Sequence, residues 1–335
     1  MAKKLTSLFQ YIFFLGLGIF LIWWSLRSLT GEDKLQISQA LEKARYGYVA
    51  PAIATLLFSH WLRAVRWRLI MEPLGYKPSS LNTFFAVMVG YLANQAVPRL
   101  GEVLRCSTLT RYEKIPLDKL LGTVILERLV DAVCLLLVFG AALLLQPSLY
   151  ENIMIAFFGR NAGTQSTGIF WYLVAGLAIA GTAMVVWVLY NRKKNPERVG
   201  WLQKIVVHVW QGFMAIKSLK RPGTFIVLSV MIWILYAASV YIGFLMLEET
   251  SHYAMKEALT VLSAGSLAMV ATPGGIGAYA FLVQKTMELY QLNSGLGLAL
   301  GWLLWFPQVA AVIVAGGLSL LALPLYNRKK STTTS

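Results

Sequence analysis

The chain has 335 residues, of which 57% are hydrophobic and 13% charged, with a mean hydropathy of +0.62; soluble domains carry about 25% charged residues, so an ordinary soluble enzyme is excluded. Lys and Arg total 30 against 15 for Asp and Glu, a net charge of +15. The basic residues stand in short clusters between apolar runs, which is the pattern of cytoplasmic loops and not of a nucleic-acid-binding face.

Crossing about 30 Å of hydrocarbon takes about 20 apolar helical residues. The first such run, residues 8–26, follows Lys3 and Lys4. No small-residue cleavage site follows it, and Trp23 and Trp24 suit an interfacial anchor, so it is expected to be a retained span. A second span covers residues 48–70. Residues 84–97 then make about half a span, ending at Pro98 and followed by Arg99, Glu102 and Arg105. Further spans are predicted at 120–145 and 170–190.

In a loop over 191–224, Trp201, Ile205, Val209, Trp210, Phe213 and Ile216 fall largely on one helical face. Such a helix lies on the inner leaflet or packs against the bundle. Residues 225–247 are the next span. Residues 258–271 then run into Thr272-Pro273-Gly274-Gly275-Ile276-Gly277 before a second half at 278–290. The last span, 296–325, contains Pro307, and residues 331–335 read as a disordered tail.

The expected fold is therefore all-α, a polytopic membrane bundle of about six full spans plus two re-entrant helical hairpins, in one transmembrane domain over 1–330. Irregular backbone at membrane depth survives only where protein or a water-filled cavity surrounds it, so the hairpins mark the interior. Placing most Lys and Arg inside puts both termini in the cytoplasm, with the first hairpin entering from the cytoplasm and the second from outside. Opposed hairpins are the pattern of an inverted-topology repeat, although no residue-level similarity links the two halves.

Glu127, Arg128 and Asp131 stand inside an apolar span and share one arc of its helix. At 1.5 Å per residue from Leu120, Glu127 lies about 10 Å and Asp131 about 16 Å deep, where ionisable groups must face the interior and find partners. Asn94, Arg99, Glu102 and Arg105 of the first hairpin are the natural ones, with Arg63 and Arg66 at the cytoplasmic end of the second span.

Arg99, Arg105 and Arg128 balance Glu102, Glu127 and Asp131 in charge. Two readings stay open: a closed salt-bridge network, or arginines that hold a phosphate. Pro273, Gly274, Gly275 and Gly277 either offer backbone amides to an anion at a half-helix start or only make the turn. Tyr91, Tyr279, Trp302 and Trp305 are candidates to line a cavity. Cys106 and Cys134 read as buried thiols, and His60, His208 and His252 lack metalloprotease spacing. With no nucleophile elbow and no nucleotide loop, neither an enzyme nor a cofactor is expected.

Taken together, Arg63-Ala64-Val65-Arg66-Trp67, Gly90-Tyr91 with Asn94, Pro98-Arg99-Leu100-Gly101-Glu102-Val103-Leu104-Arg105, Glu127-Arg128-Leu129-Val130-Asp131 and Pro273-Gly274-Gly275-Ile276-Gly277 resemble the transmembrane family of lysylphosphatidylglycerol synthases over about residues 44–325. That family includes stand-alone, flippase-like proteins. The resemblance implies a lipid-handling domain of the bacterial cytoplasmic (inner) membrane. Its substrate would be an anionic phospholipid or a polyprenyl or glycolipid, held by Arg99 and Arg105 in a chamber completed by Glu127, Arg128, Asp131 and Tyr279. An envelope-synthesis enzyme is a candidate partner, and a non-transporting scaffold for such an enzyme is the alternative. The soluble aminoacyl-transferring domain of two-domain members has no counterpart in these residues, so no synthesis activity is implied. The family pattern also leads us to expect an acidic residue just after the second turn, where this chain has Ala278-Tyr279-Ala280.

Overall fold

A computed structural model describes residues 2–27, 29–97, 99–146 and 218–333. The span predicted at 170–190 and the amphipathic face from Trp201 to Ile216 in the loop over 191–224 lie outside the described residues. Ten α-helices are found among the described residues, and no strand. They are α1 (Ala2–Arg27), α2 (Gly31–Lys43), α3 (Val49–Met71), α4 (Ser80–Ala96), α5 (Leu100–Glu113), α6 (Leu117–Leu145), α7 (Pro222–Phe244), α8 (Met255–Ala271), α9 (Ala278–Glu288) and α10 (Ser294–Thr333).

Three of them, α6, α7 and residues Ser294–Arg328 of α10, are long and apolar enough to cross a membrane. Helix α3, predicted as a full span, is less apolar because it carries His60, Arg63, Arg66 and Arg68; the first three are buried in the bundle. Helix α10 continues to Thr333, into the tail that was expected to be disordered.

Helix α2 was not anticipated. Residues 13–27 of α1 meet it at a bend of 106°. Its signal was present as Thr30 followed three residues later by Asp33. The Thr30 side chain accepts from the Asp33 N–H at 3.2 Å, and the Asp33 carboxylate accepts from the Thr30 N–H at 2.8 Å, a capping box. Asn293 Nδ2 donates to Asp33 at 2.8 Å, which fastens α2 to the start of α10. Replacing Thr30 with Ala should cost about 1 kcal/mol, read as a small fall in the thermal midpoint in detergent.

Both predicted hairpins are present, each a helix, a break and a helix. In the first, Val97 precedes a proline, which disfavours helical backbone, and it is extended at φ −135° and ψ 118°. Arg99 then takes left-handed backbone at φ 67°, and α5 turns back along α4. The two helices touch through glycines. A Cβ on Gly101 would overlap the Gly90 carbonyl oxygen and stand 2.7 Å from Asn94 Cγ, while the Asn94 side chain accepts from the Gly101 N–H at 2.8 Å. In the second hairpin, left-handed backbone at Gly274, Gly275 and Gly277 makes the turn, conformations in which only glycine avoids a Cβ penalty.

Helix α10 works as a ruler for both hairpins. Gly297 packs on Gln284 of α9, Gly301 on Ala280, and Trp305 reaches the second turn at Gly274. Farther along, Gly316 packs on Met88 and Leu92 of α4, and Asn327 exchanges amide hydrogen bonds of 2.9 Å with Asn82 at its start. The second hairpin therefore lies along the first half of α10 and the first hairpin along the second half. Each is a half-length insertion from an opposite end, and they meet near Trp305. There a Cβ on Gly274 would strike Gln95, the next-to-last residue of α4. One apolar core forms around each hairpin: Trp67, Met71, Leu109, Leu120 and Phe225 in the first, and Val240, Phe244, Tyr279, Val283 and Trp305 in the second.

Candidate functional site

The charged residues of α6 meet those of α3 and α5. Arg63 and Arg66 are three residues apart on α3 and so share a face, as do Glu127 and Asp131, four apart on α6. Arg63 Nη1 donates to Glu127 at 2.9 Å and also to Asp131, Arg66 Nη2 donates to Asp131 at 2.7 Å, and Arg105 Nη1 lies 2.9 Å from Glu127 Oε2. The last contact is off-axis for a hydrogen bond, so Glu127 Oε2, together with Arg105 Nε and Nη2, has no hydrogen-bond partner among the described residues. It is an ion pair by distance alone. Glu127 and Arg66 are fully buried.

Neutral groups complete the shell. Tyr236 accepts from Arg63 at 3.2 Å, and Ser229 accepts from Arg66 at 3.2 Å. The Arg105 guanidinium stacks 4.6 Å above the Trp67 ring, a cation–π contact.

The buried cluster is not neutral. Three guanidiniums (Arg63, Arg66, Arg105) face two carboxylates (Glu127, Asp131), leaving one positive charge in excess. Arg128 and Glu102 form a separate pair at 2.7 Å nearer the surface, with the Arg128 side chain 45% exposed.

This cluster borders a cavity of about 440 Å³ between the hairpins, α3, α6, α7 and α10. Polar and charged residues in its lining include His60, Arg63, Tyr91, Asn94, Gln95, Arg128, Asp131 and Gln308; apolar ones include Ile53, Leu56, Leu135, Trp233, Val240 and Leu262. The lining thus offers both charge and hydrocarbon.

The profile of the lysylphosphatidylglycerol synthase transmembrane region matches residues 11–316. The chain belongs to that family. Over 115 residues it is 30% identical to a membrane protein of the UPF0104 group from Methanocaldococcus jannaschii, covering 33% of this chain and 34% of that relative. The match thus spans about a third of the curated relative's length. No solved structure matches the chain. For this family member, a membrane-embedded helical bundle is established by profile and fold together.

The family motifs converge unequally on the cavity. Arg63, Asn94, Arg128, Asp131, Gly274 and Tyr279 line it; Arg66, Arg105 and Glu127 stand behind it in the ion-pair network, and Glu102 touches it only through Arg128. Arg99 corrects the expectation. It is exposed at the N-terminus of α5 and does not line the cavity, so the phosphate pair expected from Arg99 and Arg105 does not form there. The charge balance changes with it, because Arg63 and Arg66 take its place in the interior.

Of the two readings of the second turn, its hydrogen bonds favour the one in which these residues make the turn. Pro273, Gly274, Gly275 and Gly277 are buried, and the amides of Gly275, Ile276 and Ala278 donate to carbonyls within the turn itself, at 3.0, 3.2 and 2.8 Å to Thr272, Pro273 and Ile276. Those donors are spent on the turn. The Trp305 indole donates to the Gly274 carbonyl at 2.8 Å, making it a brace for the turn and not a cavity wall, and Trp302 packs on Trp305 and Phe306. Trp305→Phe should cost about 1 kcal/mol, measured as a lower unfolding midpoint with helicity retained.

Sequence reasoning missed Gln95, Ser229, Tyr236 and Gln308. A signal existed for two of them: Ser229 and Tyr236 are seven residues apart in an apolar helix, so both hydroxyls lie on one face.

Proposed function

We propose that the cavity receives the anionic head of a membrane lipid and that the protein carries this lipid between leaflets. The observation that supports this most is the excess of one positive charge in the cluster, counted over the described residues, beside a cavity lined by both charged and apolar side chains. Excess charge far from water is costly, and a phosphate head would balance it. On this reading the protein is a carrier and not an enzyme. It resides in a bacterial cytoplasmic membrane with both termini inside, as the basic residues of the loops favour.

The test is exchange of fluorescent phosphatidylglycerol in reconstituted vesicles. Exchange faster than in protein-free vesicles is expected. No exchange above that baseline for any anionic or polyprenyl-phosphate lipid would sink the proposal.

A scaffold reading has one observation in its favour: Arg63, Arg66 and Arg105 already have carboxylate partners. Arg128 separates the two readings. Its side chain is 45% exposed and its pair with Glu102 stands apart from the buried cluster, so Arg128→Gln should fold. For a carrier its exchange rate falls below that of the wild type; for a scaffold both folded proteins stay at the protein-free baseline.

A further inference from the structure

We infer that a second, apolar pocket beside the cavity holds one acyl chain of the lipid whose head the cavity receives; this rests on the reading of the cavity given above. The pocket has a volume of about 280 Å³ and lies between α6, α7 and α8, walled by Cys134, Val138, Val230, Ile234, Ala237 and Leu259 together with Trp233. No charged side chain among the described residues lines it.

Trp233 lines both spaces, so its indole is the partition between them. The Trp233 Nε1 is buried with no hydrogen-bond partner among the described residues. An amphipathic ring at the border of a polar and an apolar space is well suited to such a partition.

The surroundings identify the occupant as hydrocarbon. Helices α6 and α7 each have a mean hydropathy of 2.3 in their most apolar stretch. At the mouth of the pocket, Leu137, Val230 and Ile234 are more than half exposed, and in a bilayer such side chains meet acyl chains. Water does not fill a hollow that offers it no polar partners. A lipid whose head reaches Arg63 and Arg128 must also lead its tails out of the bundle, and this pocket shares Trp233 with the cavity and reaches the surface at Leu137, Val230 and Ile234. An acyl chain satisfies both the chemistry and the route.

Two photoreactive phosphatidylglycerols test this on the full chain in phosphatidylcholine nanodiscs, one with a diazirine at the end of an acyl chain and one with it on the head. After irradiation, adducts are mapped by mass spectrometry. The tail probe should concentrate on peptides containing Cys134–Val138 and Leu259, and the head probe on those containing Tyr91 and Ser266. Leu259→Trp fills the pocket and should abolish the enrichment of tail adducts there, with head adducts unchanged.

Tail adducts spread evenly over exposed positions such as Ile125, Leu318 and Leu321 would overturn the pocket while head adducts in the cavity kept the lipid reading. Absence of both patterns would overturn the two together. If Leu259→Trp fails to fold, the unmodified chain still decides the matter through the tail probe alone.

Discussion

Glu127→Gln is expected to cost the folded protein about 3–5 kcal/mol, the range for breaking a buried ion pair by removing one partner. Glu127 is fully buried and stands against Arg63, Arg66 and Arg105. Without its charge, three guanidiniums face Asp131 alone, and the buried excess rises from one positive charge to two. The variant should melt far below the wild type in detergent or fail to accumulate. The charge explanation makes a sharper demand on the double variant Glu127→Gln with Arg105→Met, which restores the excess to one. At least half of the lost stability should return, since residues in one network couple by about 0.5–3 kcal/mol. A double variant no more stable than Glu127→Gln alone would show that the loss lies in packing and not in charge.

Gly101→Ala is expected to be the most damaging single-methyl change in the first hairpin. The added Cβ would run into the backbone oxygen of Gly90 and the side chain of Asn94, and a backbone oxygen cannot swing aside as a flexible side chain can. Separating α4 from α5 would also stretch the Asn94 to Gly101 hydrogen bond of 2.8 Å. Overpacking of this kind costs about 1–3 kcal/mol and sometimes more. Because Arg105 is carried on α5, the shift should also disturb its pairing with Glu127. Gly122→Ala on α6 is the comparison, since a Cβ there meets nothing within 4 Å; it should change stability by no more than about 1 kcal/mol. Thermal unfolding of the two variants side by side measures the difference, and equal midpoints would contradict the close-packed hairpin.

Much of the architecture was legible because lipid imposes severe rules. An apolar run of sufficient length reads as a helix, and a run broken by Pro98 or by Pro273-Gly274-Gly275 reads as a hairpin, because free backbone groups are not tolerated in hydrocarbon. Glu127 and Asp131 read as interior for the same reason, and both point into the bundle, with side chains 0% and 12% exposed.

What escaped was how deep each partner lies. Arg63 and Arg66, expected as partners from the cytoplasmic end of the second span, do pair with the carboxylates of α6, and both are buried. Arg99 looked equally suited to an interior role. Its left-handed backbone at the tip of the first hairpin instead leaves the side chain outside. The sequence left the role of the second turn's amides open, because only the folded turn shows which carbonyls they reach. Gln95 gave no signal of its own, because its importance comes from the opposing hairpin arriving at Gly274.

The central claim is that the space between the hairpins holds a lipid, and mass spectrometry of lipid retained by the purified protein tests it most directly. Wild-type protein in mild detergent should keep a phosphate-bearing lipid in near one-to-one amount. Ser266→Trp, which projects an indole into the cavity from a partly exposed position on α8, should fold and lose that lipid. Retention of the same lipid by the blocked variant, or none on a well-folded wild type, would contradict the account.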